Sequence, residues 1–352
     1  MRELYAKVTG ILNRVAFDDI WRGFSKCTFA IYDKTNVYFH DKAISYDRRF
    51  LGNTCIEYNG EYIAIWNVEN PFLNDPEILA ADLVHEMFHA FQQKNHESRF
   101  PSDLLLLDYP TDMENCAVKH SENLLLVKAI VADDVQAKKI LISQFISARK
   151  YREGLIGDTI KQEYLSETIE GMAEYAGSMA LRQISPPKYE KRVGEYVKNL
   201  RALDNSFFDI RKISYYSGAL FCITLSEAGK DFYHIIGDTE LPLFSIAAGT
   251  TKPEKPPVEY DVNLLSTEIG HFLNEKKRKF EEFLLSHHEE IVGSFVICGY
   301  DPMNMLKMDD MILCSHFIML KSEENEAPIF IQGPVLVNVK IGSINEVRSY
   351  IK

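Results

Sequence analysis

The sequence predicts an α+β chain with a sheet-rich start, a long helical middle and a β-rich end. Three observations predict it. β-Branched and aromatic residues crowd positions 27 to 68, in CTFAIYD, NVYFH and TCIEYNGEYIAIW. Apolar residues then recur at helical spacing from about 76 to 228. Past a Pro-rich stretch, TKPEKPPVEY at 251 to 260, a charged helix leads into the runs GSFVICGY, MILCSHFIML and PIFIQGPVLVNVKI. At 352 residues the chain exceeds the roughly 100 to 200 residues of one domain. The expected division is therefore 1–250, sheet-rich to 75 and helical from 76, with the stretch at 251–260 as linker and a second region at 258–352 of unassigned role.

Taken in order, a first helix precedes the sheet. The strands TCIEY and EYIAIW flank Asn59-Gly60, whose residues readily take the positive φ angles of a type I′ turn, so they form a hairpin. Pro71 to Pro76 ends the strand, and Asn74 or Asp75 caps a helix that opens on Pro76 and Glu77. That helix, PEILAADLVHEMFHAFQQ, is apolar nearly all round, as a helix buried inside a domain is. Further helices are expected at 113–133, 134–152, 159–182, 190–203, 215–228 and 262–288.

Charge narrows the partners. The 51 acidic against 39 basic side chains leave a formal charge of −12 with no long basic run, a field that repels phosphate backbones, so no nucleic-acid partner is expected. No window holds the roughly 18 uncharged residues that cross a bilayer, so no membrane partner is expected and a cytoplasmic location is. Cys27, Cys55, Cys116, Cys222, Cys298 and Cys314 are scattered without a C-x-x-C pair and read as reduced, mostly buried thiols with no catalytic role.

The chemistry concentrates in LVHEMFHAFQQKNH, residues 83 to 96. A helix advances 100° per residue, so His85 and His89 share one face a turn apart and both imidazoles can reach one ion, while Glu86 points beside them. H-E-x-x-H on a helix is a zinc hydrolase signature in which the glutamate serves as general base. A third ligand must come from elsewhere. The metzincin pattern needs glycine at 92 and histidine at 95, where this chain has Gln92 and Asn95, with His96 out of register. Downstream, SETIEGMAEYAG at 166–177 carries a carboxylate stripe of Glu163, Glu167, Glu170 and Glu174 next to an apolar face of Leu165, Ile169, Met172, Ala173, Ala176 and Ala180. Carboxylates so near a core face need a partner.

H-E-x-x-H followed by E-G-x-A-E-Y resembles the gluzincins, the zinc metallopeptidases that include thermolysin and the aminopeptidase N type. The resemblance implies a zincin-like fold, a Zn2+ ion held by His85, His89 and Glu170, and Glu86 as general base. It implies Glu174 as the carboxylate that fixes a ligand histidine's tautomer, with Glu167 as fallback ligand. The 80 residues between His89 and Glu170 are more than those families use, so a helical insertion at 95–160 must bring the chain back. SYYSGALFCITL at 214–225 is similar to the Y-x-x-G-A opening of an aminopeptidase helix, which makes Tyr215, or else Tyr216, the oxyanion donor. Val68-Glu69-Asn70 faintly echoes the motif that anchors a substrate's amino terminus there. The substrate implied is a peptide or protein, added as a strand to the sheet edge at EYIAIW.

Plainer readings stand beside these. His85 and His89 can be core histidines, and the glutamate stripe a solvated helix edge. His96, His120, His234, His287 and His288 read as surface or core residues, with His234 the one placed to line the cleft. EKKRKFEE reads as a solvated helix face, and Met303, Met305, Met308 and Met311 as packing. A binding protein that keeps the zinc fold without turnover, or a zinc hydrolase of a non-peptide bond, are the rival functions.

Overall fold

Two short helices, Arg2–Leu12 (α1) and Phe17–Ile20 (α2), precede a five-stranded sheet in the computed structural model, which describes residues 1–40, 42–70, 75–257, 261–286, 289–322 and 327–352. The strands are Phe29–Tyr32 (β1), Asn36–Phe39 (β2), Lys42–Ser45 (β3), Thr54–Tyr58 (β4) and Glu61–Asn67 (β5), in the order β3-β2-β1-β5-β4. Only β1 and β5 run parallel. The hairpin of β4 and β5 turns at Asn59 and Gly60 with φ of 54° and 82°, the two positive values of a type I′ turn.

This order corrects one expectation. EYIAIW is β5, hydrogen-bonded on both sides, so it has no edge to offer a peptide. The open edge on that side belongs to β4, because the chain pairs β5 with the distant β1 rather than leaving the hairpin's second strand outermost.

The histidine helix is Pro76–Lys94 (α3), and Asp75 caps it by accepting from the Glu77 and Ile78 amides at 3.0 and 3.2 Å. Asn74, the other cap candidate, lies outside the described residues, as do His287 and His288. Leu83, Val84, Met87 and Phe88 bury α3 between the sheet and the helices that follow. Those are Asp103–Leu106 (α4), Met113–Val131 (α5), Val135–Ile156 (α6), Ile160–Ser166 (α7), Met172–Ile184 (α8), Pro186–Arg201 (α9), Ile210–Glu227 (α10) and Leu243–Ala248 (α11). Between α7 and α8 the chain stays helical through one π turn, Glu167–Gly171, so 160–184 is one helix with a local widening. Helix α10 starts earlier than its apolar pattern suggests because Asp209 caps it, accepting from the Lys212 amide at 3.0 Å.

The Pro-rich stretch is not a free linker. Over 251–257 it lies on the helical lobe, where Lys252 O accepts from Ser147, the Glu254 amide donates to Ser147 O at 3.1 Å and Lys255 pairs with Glu114 at 3.1 Å. Residues 258–260 lie outside the description. Then Val262–Ser286 (α12) spans two bodies. Leu265 and Phe272 pack against Phe207, Phe208 and Cys116 of the helical lobe, whereas Phe280 and Phe283 pack against Leu313 and Leu336 of the C-terminal sheet.

That sheet is antiparallel throughout, in the order β10-β9-β6-β12-β11-β8-β7. Its strands are Glu290–Tyr300 (β6), Met305–Met308 (β7), Met311–Cys314 (β8), Phe317–Ser322 (β9), Ile329–Gln332 (β10), Val335–Val339 (β11) and Glu346–Ile351 (β12). Leu104 of α4 enters its core and Lys307 pairs with Asp108, so the sheet abuts the segment just after α3. Of the four methionines expected to pack, Met305, Met308 and Met311 do so, whereas Met303 is exposed and, with Met305, lines a cavity beside the sheet. Among the described residues no helix is long and apolar enough to cross a membrane.

Candidate metal centre

Three elements build the site. Helix α3 presents His85 and His89, the π turn presents Glu170, and α8 presents Glu174. Two glycine contacts set their spacing. A Cβ on Gly177 would sit 2.9 Å from Ala81 O and 3.3 Å from His85 Cβ, so α8 can approach α3 this closely only without a side chain there. A Cβ on Gly171 or Gly218 would lie 2.5 or 2.6 Å from the other's Cα, so the π turn and α10 touch backbone to backbone. The glycines in EGMAEYAG and YYSGA are thus the contact points that bring Glu170 and Tyr215 to the histidines.

The donor atoms converge. His85 Nε2 and His89 Nε2 are 3.1 Å apart, and Glu170 Oε2 lies 3.6 Å from the first and 3.2 Å from the second. Tetrahedral zinc with bonds of about 2.0 to 2.1 Å would hold such atoms roughly 3.3 Å apart. The second ring nitrogens explain why these lone pairs are bare. His85 Nδ1–H donates to Glu174 Oε2 at 2.8 Å, and His89 Nδ1–H donates to Gln92 Oε1 at 2.8 Å. The amide of Gln92 has only one orientation, because its Nε2 donates to the Ile169 carbonyl at 3.1 Å. So both imidazoles carry their proton on Nδ1, and two nitrogen lone pairs and a carboxylate face one another. That arrangement is repulsive unless a proton or a metal cation sits among them, and the donor set fits a divalent ion such as zinc. Among the described residues, these three alone form a metal-competent cluster.

Without an ion, protons on the rings would take the cation's part, held by the surrounding carboxylates. Burial disfavours charge on His85 and His89, yet Glu170 outweighs it and raises both, with Glu174 adding at His85. Burial likewise pushes Glu170 up, but His89, His85 and Arg211 hold its carboxyl well below the usual range. Glu174 is held down at about 2, against burial, by His85 and Arg192. Glu86 differs. It is buried, has no hydrogen-bond partner among the described residues, and burial raises its pKa despite the two histidines. A carboxylate left unpaired and made more basic beside the cluster can accept a proton.

Tyr215 stacks on the His85 ring at 5.7 Å with planes 4° apart, and burial and Glu170 raise its hydroxyl pKa well above the usual value, keeping it a donor. Tyr216 turns away and stacks on Tyr196 at 5.1 Å. Strand β4 packs against α3 beside the site, and burial pushes the Cys55 thiol up to about 12.

Several expectations fall elsewhere. Glu167 is not within reach of the cluster. One turn before Glu170 it points into the core, bound to Arg149 and to Ser217 Oγ at 2.5 Å. Glu69 pairs with Lys34 at 3.2 Å beside a hollow lined by Met1, Leu4 and Asp33, which contains no residue of the metal cluster. His234 is exposed next to Asp231, His96 is exposed, and His120 is a core residue bonded to the Arg201 carbonyl.

Four residues that matter carried no motif. Gln92 stands three after His89 on the same helix, so helical spacing could have found it. Arg211, one turn before Tyr215, binds Glu170 Oε1 at 2.7 Å and Asp103. Tyr196 donates to Glu174 Oε1, and Arg192 bridges Asp82 at 2.6 Å and Glu174 at 3.9 Å. Nothing in the sequence ties these α9 side chains to Glu174, because the pairing depends on how α9 folds back. Comparison of the chain with protein-family models, with curated proteins and with solved structures finds no match in any of the three.

Proposed function

We propose that this chain is a zinc-dependent peptidase of gluzincin type. The observation that carries the reading is the convergence of His85 Nε2, His89 Nε2 and Glu170 Oε2 within 3.1 to 3.6 Å, each histidine locked by a partner on its other nitrogen, with an unpaired Glu86 beside them. A structural site has no use for such a carboxylate.

His85, His89 and Glu170 would hold the ion, with Glu174 and Gln92 orienting the rings. Bound there, zinc supplies Lewis acidity that brings the pKa of water from about 15.7 towards 7 and polarises a carbonyl. Glu86 accepts the proton of the attacking water and passes it to the departing amine. Tyr215 donates its hydroxyl hydrogen to the oxygen that gains charge. The open edge of β4 offers backbone groups to which an extended peptide can add as a strand.

The test is metal content by mass spectrometry on protein purified without added metal. About one zinc per chain, lost in Glu170→Gln and kept in Glu167→Gln, is the expected result. A peptide library should then be cleaved by the wild type and not by Glu86→Gln, which should still hold zinc. A wild type that takes up no zinc on reconstitution would return the two histidines to the core and end the peptidase reading.

A further inference from the structure

Beyond Arg211 the molecule opens into a cavity of about 330 Å³ between the helical lobe, α12 and the C-terminal sheet. Its size falls within the range of small-ligand sites. Leu106, Phe208, Phe272 and Met305 supply apolar wall. Four cations line it: Arg211, Lys276, Lys279 and Lys307. Its three acidic residues are engaged, Asp103 with Arg211, Asp209 with the Lys212 amide and Glu275 with Asn205. In a chain of net charge −12, the cations of this lining outnumber its anions by four to three.

Two of the cations have capacity left. Lys276 is half-buried, and among the described residues its ammonium has no ion pair or hydrogen bond, lying over the Phe272 ring at 6.0 Å. Burial lowers its pKa, Asp108 and Asp309 act against that fall through space without pairing with it, and Lys307 adds to it. Arg211 Nε is buried without a partner, although both its terminal nitrogens are bound. The cavity also adjoins the metal cluster, because one guanidinium serves both: Arg211 lines the cavity and touches Glu170 at 2.7 Å.

The geometry points to this cavity as an anion-selecting subsite that takes a carboxylate of the peptide substrate, with Lys276 as its unsatisfied cation and the apolar wall holding the adjoining side chain. The carboxylate is either the peptide's terminus or an acidic side chain; the chemistry recognised is the same. The inference rests on the peptidase reading for the word peptide, and its test separates the two.

The probes are three N-acetylated tetra-alanine peptides: the free acid, the amide, and the amide with glutamate at the third position. Their binding is measured by calorimetry to the zinc-loaded full chain carrying Glu86→Gln, which does not consume them. One of the two anionic peptides should bind about tenfold tighter than the neutral amide, and which one names the source of the carboxylate. Adding Lys276→Met should erase the difference and leave the amide's affinity unchanged. Lys276→Arg should keep it, which guards against a simple folding defect. Equal binding of all three peptides, or a preference that survives Lys276→Met, overturns the subsite. Cleavage by the wild type with no anionic preference would reject the subsite and leave the peptidase. An anionic preference that depends on Lys276 in a chain that cleaves nothing would do the reverse.

Discussion

At the scale of single residues, the centre depends on hydrogen atoms as much as on ligands. Gln92 is the clearest case, because its amide reads the Ile169 carbonyl with one end and fixes the proton of His89 with the other. Its replacement by alanine frees the ring to turn or to change tautomer. Zinc affinity of Gln92→Ala, measured by competition with a chromophoric chelator, should fall about 10- to 100-fold, while Gln92→Glu, which still accepts from Nδ1, should lose less. A fall no larger than that of a surface control would show that Gln92 only fills space. His85, Glu86 and His89 were legible because their geometry is local: one helix carries all three, and the 3.6-residue turn does the rest. Arg211 and Tyr196 were not, since their partners lie 41 and 22 residues away in sequence.

Elements bring those distant residues together, and they do so through glycine. The contact of Gly171 with Gly218 leaves no room for a methyl group, since each would meet the other's Cα at 2.5 to 2.6 Å. Gly218→Ala should therefore push α10 off the π turn, costing about 1 to 3 kcal/mol in denaturant unfolding. Because Tyr215 and Arg211 ride on α10, the same variant should weaken zinc binding, whereas Gly194→Ala on α9, which meets nothing within 4 Å, should leave both unchanged. The sequence showed helices at nearly their observed places and the β4–β5 hairpin at its turn, as propensity and turn chemistry are local. It did not show which strand is outermost. That follows from β1 pairing with β5 in parallel across more than thirty intervening positions, a choice made by the core and not by either strand.

For the molecule as a whole, the long helical stretch before the second glutamate motif supports the turn that bears Glu170. Helices α5 and α6 carry Lys119, Glu122, Arg149 and Arg152 into the interior, where they meet Glu163 and Glu167 beneath the turn that bears Glu170. Cations and anions balance at three each in this set, so removing one strands its partner. Arg152→Met should cost about 3 to 5 kcal/mol in unfolding free energy. The cluster also sets acid behaviour. Burial would raise Glu163, but Arg152, Lys119 and Arg149 hold it well below 4.5, so its contribution is complete above the unfolded value and fades as pH falls below it. Glu167 is pushed the other way, mainly by burial, and does not add to that fade. Stability measured from pH 6 downward should accordingly start to fall near pH 4.5, and a Glu163→Gln variant, already weakened, should show a flatter decline. Helix α12 has a consequence for how the chain comes apart. With 25 residues it is about 37 Å long, and its two halves are sunk into different bodies, Leu265 and Phe272 against Phe208 in the first and Phe280 and Phe283 against the second sheet in the other. The covalent connection through the Pro-rich stretch is then redundant as a mechanical tie. A protease nick at Lys252 or Lys255 should yield two fragments on a denaturing gel that still elute as one particle, held together by a helix acting as a rivet.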